Sequence, residues 1–238
     1  MRLFFYVTLH RKSELKTMKK SLLIAGIIAT SAVFISGCSK DDTEAPVITI
    51  TGDNPYQLEM LQTYSDPGAT ADDNEDGDLS SSISVDASDI ENRLPGSYEV
   101  NYSVSDAAGN SGSASREVIV YATTNALAKS YTVADTCGSG ASAVSFAYTQ
   151  TVTANNTTTL GFNKFGDYSG NTGIVATLNS DGSVSMALQT ALDIGSSLDD
   201  HRFSGSGSVT LNGFKIEYQD ENITTSSIAT CRAWFTRQ

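Results

Sequence analysis

Histidine and cysteine are scarce in this chain of 238 residues, which has two His and three Cys. So few imidazole and thiol groups exclude most metal centres and catalytic triads built on them. Basic residues are also outnumbered: 15 Lys and Arg stand against 27 Asp and Glu, and the formal net charge is −12. Because phosphate binding requires clustered Lys and Arg, we expect no nucleic acid partner.

A long transmembrane segment is also missing. The apolar run from Leu22 to Ile35 has 14 residues, fewer than the roughly 20 that a membrane-spanning helix needs. It follows Lys19 and Lys20 and ends in small residues, which is the pattern of a secretory signal peptide. We assign residues 1–37 to this signal, with Met18 as an alternative start of the protein.

The residues that end this signal, Ile35-Ser36-Gly37-Cys38, resemble the lipobox of bacterial lipoproteins. The resemblance implies cleavage before Cys38, which would then carry a diacylglycerol and a fatty acid such as palmitate. Several acyl chains anchor a protein stably where one is marginal. The alternative is an ordinary cleaved signal peptide with an incidental cysteine.

Residues 38–45 form a short polar tether. Ser39-Lys40-Asp41-Asp42 resembles the acidic export signal of Bacteroidetes surface lipoproteins, which implies an outer-membrane protein exposed at the cell surface. The alternative is a tether without a signal. The leader holds six basic residues and one acidic residue, so the remainder carries a net charge of −17. Such a surface repels anionic lipid, and we expect the lipid anchor alone to hold the protein to the membrane.

Residues 45–122 are predicted to form a β-sandwich. Tyr98, Val100, Tyr102 and Val104 alternate with polar residues over 97–105, which is the period of a strand with one buried face. Shorter candidate strands, separated by Gly, Pro, Asn and Asp turns, favour an antiparallel sandwich. They lie at 46–51, 56–61, 82–85 and 116–121.

Five motifs in this region occur in a specific order. They are APVITITG at 45–52, YSDPGATA at 64–71, DDNEDGDL at 72–79, LPGSY at 94–98 and VSDAAGN at 104–110. The set resembles the bacterial surface Ig-like domain family. The resemblance implies a β-sandwich that serves as a spacer or adhesion module, with no enzymatic activity.

The acidic segment at 72–78 is a candidate Ca²⁺ site, because hard cations bind carboxylate oxygens. The predicted ligands are Asp66, Asp72, Asp76 and Asp78. An EF-hand is excluded, since Ile83 occupies the position where that loop requires a bidentate Glu. The alternative is a solvated acidic turn stabilised by its own Asx hydrogen bonds. No other cofactor is expected.

Residues 127–238 are predicted to form a second antiparallel β domain, either a barrel or a sandwich. Apolar residues alternate along seven or eight runs joined by short loops, and no helical period of useful length occurs. The alternating sets are Val144, Phe146 and Tyr148; Leu160 and Phe162; Ile174, Ala176 and Leu178; Val184, Met186 and Leu188; Val209 and Leu211; Phe214, Ile216 and Tyr218. The fold class of the whole chain is therefore all-β.

Two cysteines remain once lipidation uses Cys38. Cys137 lies near the start of the second domain and Cys231 in its last run. In an oxidising compartment this pair predicts a disulfide that ties the ends of the domain together. The rival interpretation is a Cys nucleophile that acts with His201, the only histidine after the leader.

Candidate functional side chains in the second domain are few. Asp200 precedes His201, so a hydrolase with a serine nucleophile is formally available, but no nucleophile-elbow motif supports it. Tyr168, in a Gly- and Ser-containing loop, and Trp234 are candidate ligand contacts. The alternative for both is an ordinary core position, where most strand aromatics lie.

The sequence therefore predicts a non-catalytic, lipid-anchored binding or adhesion module at the cell surface. The Ig-like part would act as a spacer that presents the second β domain to an extracellular glycan, small molecule or protein. The alternatives are a structural envelope scaffold without a small ligand, and a hydrolase in the second domain.

Overall fold

Strands dominate the part of the chain that the computed structural model describes, which comprises residues 41–168, 173–194 and 199–238. This confirms the all-β prediction. The predicted signal peptide and Cys38 lie outside the described residues. No helix in the described ranges combines the length and apolar character needed to cross a membrane.

Residues 47–121 form two sheets. One has the order β1-β3-β4, and the other has the order β2-β7-β6-β5. The strands are β1 Val47–Ile50, β2 Tyr56–Glu59, β3 Ala69–Asp73, β4 Gly77–Asp78, β5 Ser84–Asp86, β6 Gly96–Ser105 and β7 Ser111–Tyr121. The alternating apolar residues of β6 and β7 are buried, including Val100, Val104, Val118 and Val120. The two strands pair from Gly96↔Val120 to Ser105↔Ser111.

Three features of the sandwich differ from the sequence prediction. The strand expected at 82–85 is present but begins later, as β5 Ser84–Asp86, because a 3-10 helix, Ser80–Ser82, precedes it. The mainly polar strands β3 and β4 carry no apolar period and were not predicted. Strand β2 pairs parallel with β7, so the sandwich is not wholly antiparallel. Parallel neighbours need a crossover connection, and here the chain between them passes through β3 to β6.

The join between the sandwich and the barrel is a short ordered segment. Helix α1, Thr124–Leu127, begins after Thr123, whose hydroxyl accepts a hydrogen bond from the Ala126 amide at 3.2 Å. The Ala122 amide donates to the Ser180 carbonyl at 2.8 Å, and the Thr124 hydroxyl to the Asn156 carbonyl at 2.7 Å. The join therefore contacts the end of the barrel that carries the β9–β10 and β11–β12 turns.

Residues 130–237 form a closed barrel of eight strands, each paired with its neighbour in sequence, and the last strand pairs with the first. The strands are β8 Ser130–Cys137, β9 Val144–Ala154, β10 Thr159–Phe162, β11 Ile174–Leu178, β12 Ser183–Ile194, β13 Asp199–Thr210, β14 Gly213–Asn222 and β15 Ser227–Arg237. Of the two predicted forms, the structure is the barrel.

Side chains fill the barrel interior. The aromatic side chains that pack there are at most 2% exposed, and most of their rings meet edge to face. They belong to Tyr131, Phe162, Phe165, Phe203, Phe214 and Phe235. An eight-stranded barrel is just wide enough for such a filled core.

The apolar face predicted for Val184, Met186 and Leu188 is interrupted within β12. Val184 and Met186 are buried, whereas Leu188 is 62% exposed. The pairing register with β13 shifts between Met186 and Gln189, and an extra residue in a strand reverses the faces of the residues that follow.

Candidate functional site

Two sequence-predicted residues, Tyr168 and His201, meet at the barrel end opposite to the join. His201 lies near the start of β13, and Asp220 lies near the end of the antiparallel strand β14, so both point inward at the same end. Tyr168 follows a 3-10 turn after β10. We call Tyr168, His201 and Asp220 the mouth cluster.

The mouth cluster is tightly hydrogen-bonded. His201 Nδ1 lies 2.5 Å from Asp220 Oδ1 and 3.1 Å from the Tyr168 hydroxyl, which also donates to Asp220 Oδ2. The His201 ring stacks on Phe203 with 6.1 Å between centroids and is 7% exposed. Asn222 Nδ2 lies 3.4 Å from His201 Nε2. The carboxylate therefore orients the imidazole, and the hydroxyl of Tyr168 is engaged by both.

A second buried polar group lies deeper in the barrel. The Tyr218 hydroxyl donates to Asp135 Oδ2 at 2.7 Å, and the Tyr148 hydroxyl lies 3.5 Å from the same atom. Burial raises the pKa of Asp135 although these hydroxyls lower it, and burial beside Asp135 raises the pKa of both tyrosines. Asp135 Oδ1 has no hydrogen-bonding partner in the described structure. Asp135 follows Tyr131 and Val133 at alternate positions of β8, and this period is the sequence signal that its side chain points inward.

The described residues place no serine in hydrogen-bonding contact with His201. Among the described residues, the hydrogen-bonding partners of His201 are Tyr168, Asp220 and Asn222, and none is a serine. The carboxylate that contacts His201 here is Asp220, which only strand pairing brings close.

The predicted disulfide is confirmed, which removes the Cys nucleophile as an interpretation. Cys137 and Cys231 face each other directly in the register between β8 and β15, with Cα atoms 4.0 Å apart. The bond therefore joins the first and last strands of the barrel where it closes.

The predicted Ca²⁺ ligands do not form a common group in the described structure. Asp72, Asp76 and Asp78 are exposed on the β3–β4 hairpin. Asp78 accepts from the Ser80 amide at 2.9 Å, and Asp76 from the Ala107 amide at 2.7 Å. The Asp78 contact is an Asx hydrogen bond of the kind that the alternative interpretation predicts, whereas the Asp76 contact joins the hairpin to the loop after β6.

Asp66, the fourth predicted ligand, belongs to the interior of the sandwich. It accepts hydrogen bonds from the Tyr102 hydroxyl at 2.6 Å and the Tyr64 hydroxyl at 3.1 Å, and lies 3.6 Å from Arg116 Nε. Burial alone would raise the pKa of Asp66, but these hydrogen bonds, one from the Gly68 amide and the charge of Arg116 lower it. Its charged partner in the described structure is thus the buried guanidinium of Arg116.

Trp234, the other predicted ligand contact, lies on the outer wall of the barrel. Its side chain is 46% exposed, and it lines an open groove of about 400 Å³ between β8, β14 and β15. Glu217 and Arg232 line the same groove and pair with each other at 3.1 Å. Lys215 Nζ lies 5.7 Å from the indole centroid. The groove therefore combines an aromatic face with charged hydrogen-bonding groups.

Comparison with known proteins supports the Ig-like assignment of the sandwich. Residues 48–120 match the model of the family described as bacterial surface protein, Ig-like domain. The match confirms the resemblance that the five ordered motifs predict. A search of the curated proteins found no match to the chain.

Among solved structures, the chain is similar to a lipoprotein from Bacteroides thetaiotaomicron, with 18% identity, a TM-score of 0.31, and coverage of 81% of this chain and 100% of that one. It is also similar to a Clostridium perfringens ZmpB structure that contains a CBM51 domain in complex with GlcNAc and INT domains. There the identity is 16%, the TM-score is 0.28, and the coverage is 81% of this chain and 44% of that one. With TM-scores this low, the function must be argued from this chain's own geometry.

Proposed function

We propose that the chain is a non-catalytic, lipid-anchored binding module of the outer membrane, and that the outer wall of its barrel binds an extracellular glycan. The Ig-like part is the spacer, and Cys38 is the anchor. The family match at residues 48–120 supports a surface location. The lipobox resemblance at residues 35–38 supports the anchor.

The observation that carries the proposal is the exposure of Trp234. Among the described residues, Trp234 is the only aromatic side chain that is largely exposed, whereas the other aromatic rings of the barrel are buried or packed against its core. An indole combines a large apolar face with low conformational entropy, which makes Trp a frequent anchor at binding surfaces. A sugar ring can stack its apolar face on the indole.

The charged residues beside the indole supply the polar half of such a site. Glu217 and Arg232 pair with each other at the surface, where their side chains are 50% and 58% exposed. A surface ion pair of this kind contributes little to stability, so both groups are available to bind sugar hydroxyls. The filled interior, by contrast, favours a ligand outside the barrel over one within it.

The experiment is a glycan array with the full-length chain, followed by titration of each hit. Trp234 is the only tryptophan in the chain, so its intrinsic fluorescence reports on the groove directly. We expect bound glycan to change this emission, and we expect Trp234→Ala to weaken binding about tenfold or more.

Leu188→Ala is the matched control, because it also removes an exposed apolar side chain, here one that is 62% exposed on another strand. It should leave glycan binding unchanged. Binding that survives Trp234→Ala would refute the assignment to this groove. An array without hits would favour the alternative of a structural scaffold.

A further inference from the structure

Three carboxylates that are distant in sequence meet at one edge of the Ig-like sandwich. Asp42, Asp73 and Asp106 each offer an oxygen, and these ligand atoms lie within 4.8 Å of one another. Asp42 belongs to the segment before β1, Asp73 ends β3, and Asp106 follows β6. We call these three side chains the acidic triad.

Backbone contacts orient the acidic triad. Asp73 Oδ1 accepts from the amides of Glu75 and Asp76, both at 3.0 Å. Asp106 accepts from the Asn110 amide at 2.7 Å and from its side-chain amide at 2.8 Å. The same Asn110 side chain also donates to the Asp42 carbonyl at 3.2 Å. The carboxylates are therefore held in place by groups that leave further lone pairs on their oxygens.

An independent observation also points to a ligand. Asp73 is 5% exposed, and its Oδ2 atom is buried without a hydrogen-bonding partner in the described structure. A buried carboxylate oxygen without a partner is costly. Asp106 is 8% exposed. Within residues 41–168, 173–194 and 199–238, no Lys, Arg or His forms an ion pair with any member of the triad.

The triad also brings three carboxyl groups into one small region. Negative charge is thus concentrated where two of the three side chains are nearly removed from water. A cation is the group that resolves this arrangement.

We propose that Asp42, Asp73 and Asp106 bind a Ca²⁺ ion. An all-oxygen set suits a hard cation, and the triad includes neither the imidazole nor the thiolate that Zn²⁺ prefers. Mg²⁺ demands near-ideal octahedral geometry, whereas Ca²⁺ accepts irregular carboxylate and water ligands. This inference is independent of the proposed glycan groove, since it concerns the sandwich alone.

The ion would join the tether to the sandwich. Asp42 lies four residues after Cys38, and the segment that follows it is already close to β7: a Cβ at Gly112 would lie 2.0 Å from the Pro46 carbonyl oxygen. Bridging Asp42 to Asp73 and Asp106 would fix the direction in which the chain leaves the predicted lipid anchor.

The test measures thermal unfolding of the full-length chain by far-UV circular dichroism in EDTA and in Ca²⁺. Extracellular Ca²⁺ modules have dissociation constants of about 10⁻⁴–10⁻³ M, so about 10 mM Ca²⁺ should raise the melting temperature by roughly 3–10 °C. Calorimetric titration should show one ion per chain. No shift and no heat would overturn the proposal, and an equal response to Mg²⁺ would overturn the assignment to calcium.

Asp73→Asn and Asp106→Asn should each abolish the rise in melting temperature that Ca²⁺ produces. In EDTA the Asp73→Asn protein should be at least as stable as wild type, because its amide oxygen still accepts from Glu75 and Asp76 while a negative charge is removed. Asp72→Asn is the matched control, since Asp72 is the exposed neighbour of Asp73 on β3. Retention of the full rise by Asp73→Asn, or its equal loss in Asp72→Asn, would overturn the site.

Discussion

Arg116 is the side chain whose replacement should most damage the sandwich. Its guanidinium is 0% exposed, although charged groups are rarely buried without partners. The structure provides two side-chain and three backbone partners: the Tyr102 hydroxyl at 3.1 Å, Asp66 Oδ1 at 3.6 Å, the Thr51 carbonyl at 2.6 Å, the Gly68 carbonyl at 3.1 Å, and the Asp53 carbonyl. Arg116→Met would leave all five without their donor.

The expected cost follows from these contacts. Removing one partner of a fully buried ion pair costs about 3–5 kcal/mol, and we expect a cost near the lower end here because Asp66 is only partly buried. For a chain of this length, each kcal/mol lowers the melting temperature by about 2–4 °C. We therefore expect Arg116→Met to lower the melting temperature by about 10 °C, and Asp66→Asn, at a site 22% exposed, to cost less.

A double-mutant cycle tests the reasoning by urea unfolding, monitored by far-UV circular dichroism. Much of the cost of Arg116→Met comes from the loss of the cation beside Asp66. The loss of unfolding free energy in the double variant Asp66→Asn/Arg116→Met should therefore be about 1–2 kcal/mol smaller than the sum of the losses in the two single variants. Arg93→Met is the control, since the Arg93–Glu91 pair is at the surface and should contribute under about 1 kcal/mol. Additive single costs, or a cost for Arg116→Met as small as for Arg93→Met, would refute the argument.

Two further predictions concern the barrel. Replacing both Cys137 and Cys231 by Ala should cost on the order of 4 kcal/mol in urea unfolding, because the bond closes a loop across a sequence separation of 94; a cost under about 1 kcal/mol would contradict this. The raised pKa of Asp135 means that the folded protein binds the proton more tightly, so this group's contribution to stability falls as pH rises from the unfolded to the folded pKa. We expect the stability of Asp135→Asn relative to wild type, measured by unfolding at a series of pH values, to increase as pH rises through that window and to stay constant above it. A difference in stability that does not depend on pH would be inconsistent with a raised pKa.

The sequence predicted best the elements whose evidence is local. The strict alternation at 97–105 locates β6, Gly96–Ser105, to within one residue. Alternation also identified Phe214, Ile216 and Tyr218 as one buried face of β14. A period of two needs only neighbouring residues, since successive side chains of a strand point to opposite faces.

The candidate sites were predicted less completely. Tyr168 and His201 were both selected, but their carboxylate partner Asp220 was not, because 19 residues separate Asp220 from His201 and only the β13–β14 register brings them together. The burial of Arg116 was not predictable from the sequence, since a basic residue in an alternating strand is expected on the solvent-exposed face. The VSDAAGN motif contains Asp106, yet nothing local indicates that it meets Asp42.

The sequence by itself determined the strands with one alternating face and the order of the Ig-like motifs, and it favoured a disulfide between Cys137 and Cys231. The tertiary structure confirmed that bond and decided that the second domain closes as a barrel, that Leu188 lies outside it, and which carboxylates lie close together. The physical reason is that periodicity and motif spacing depend on adjacent residues. Barrel closure, register shifts and carboxylate clusters depend on contacts between segments that are distant in the chain and are brought together only by packing.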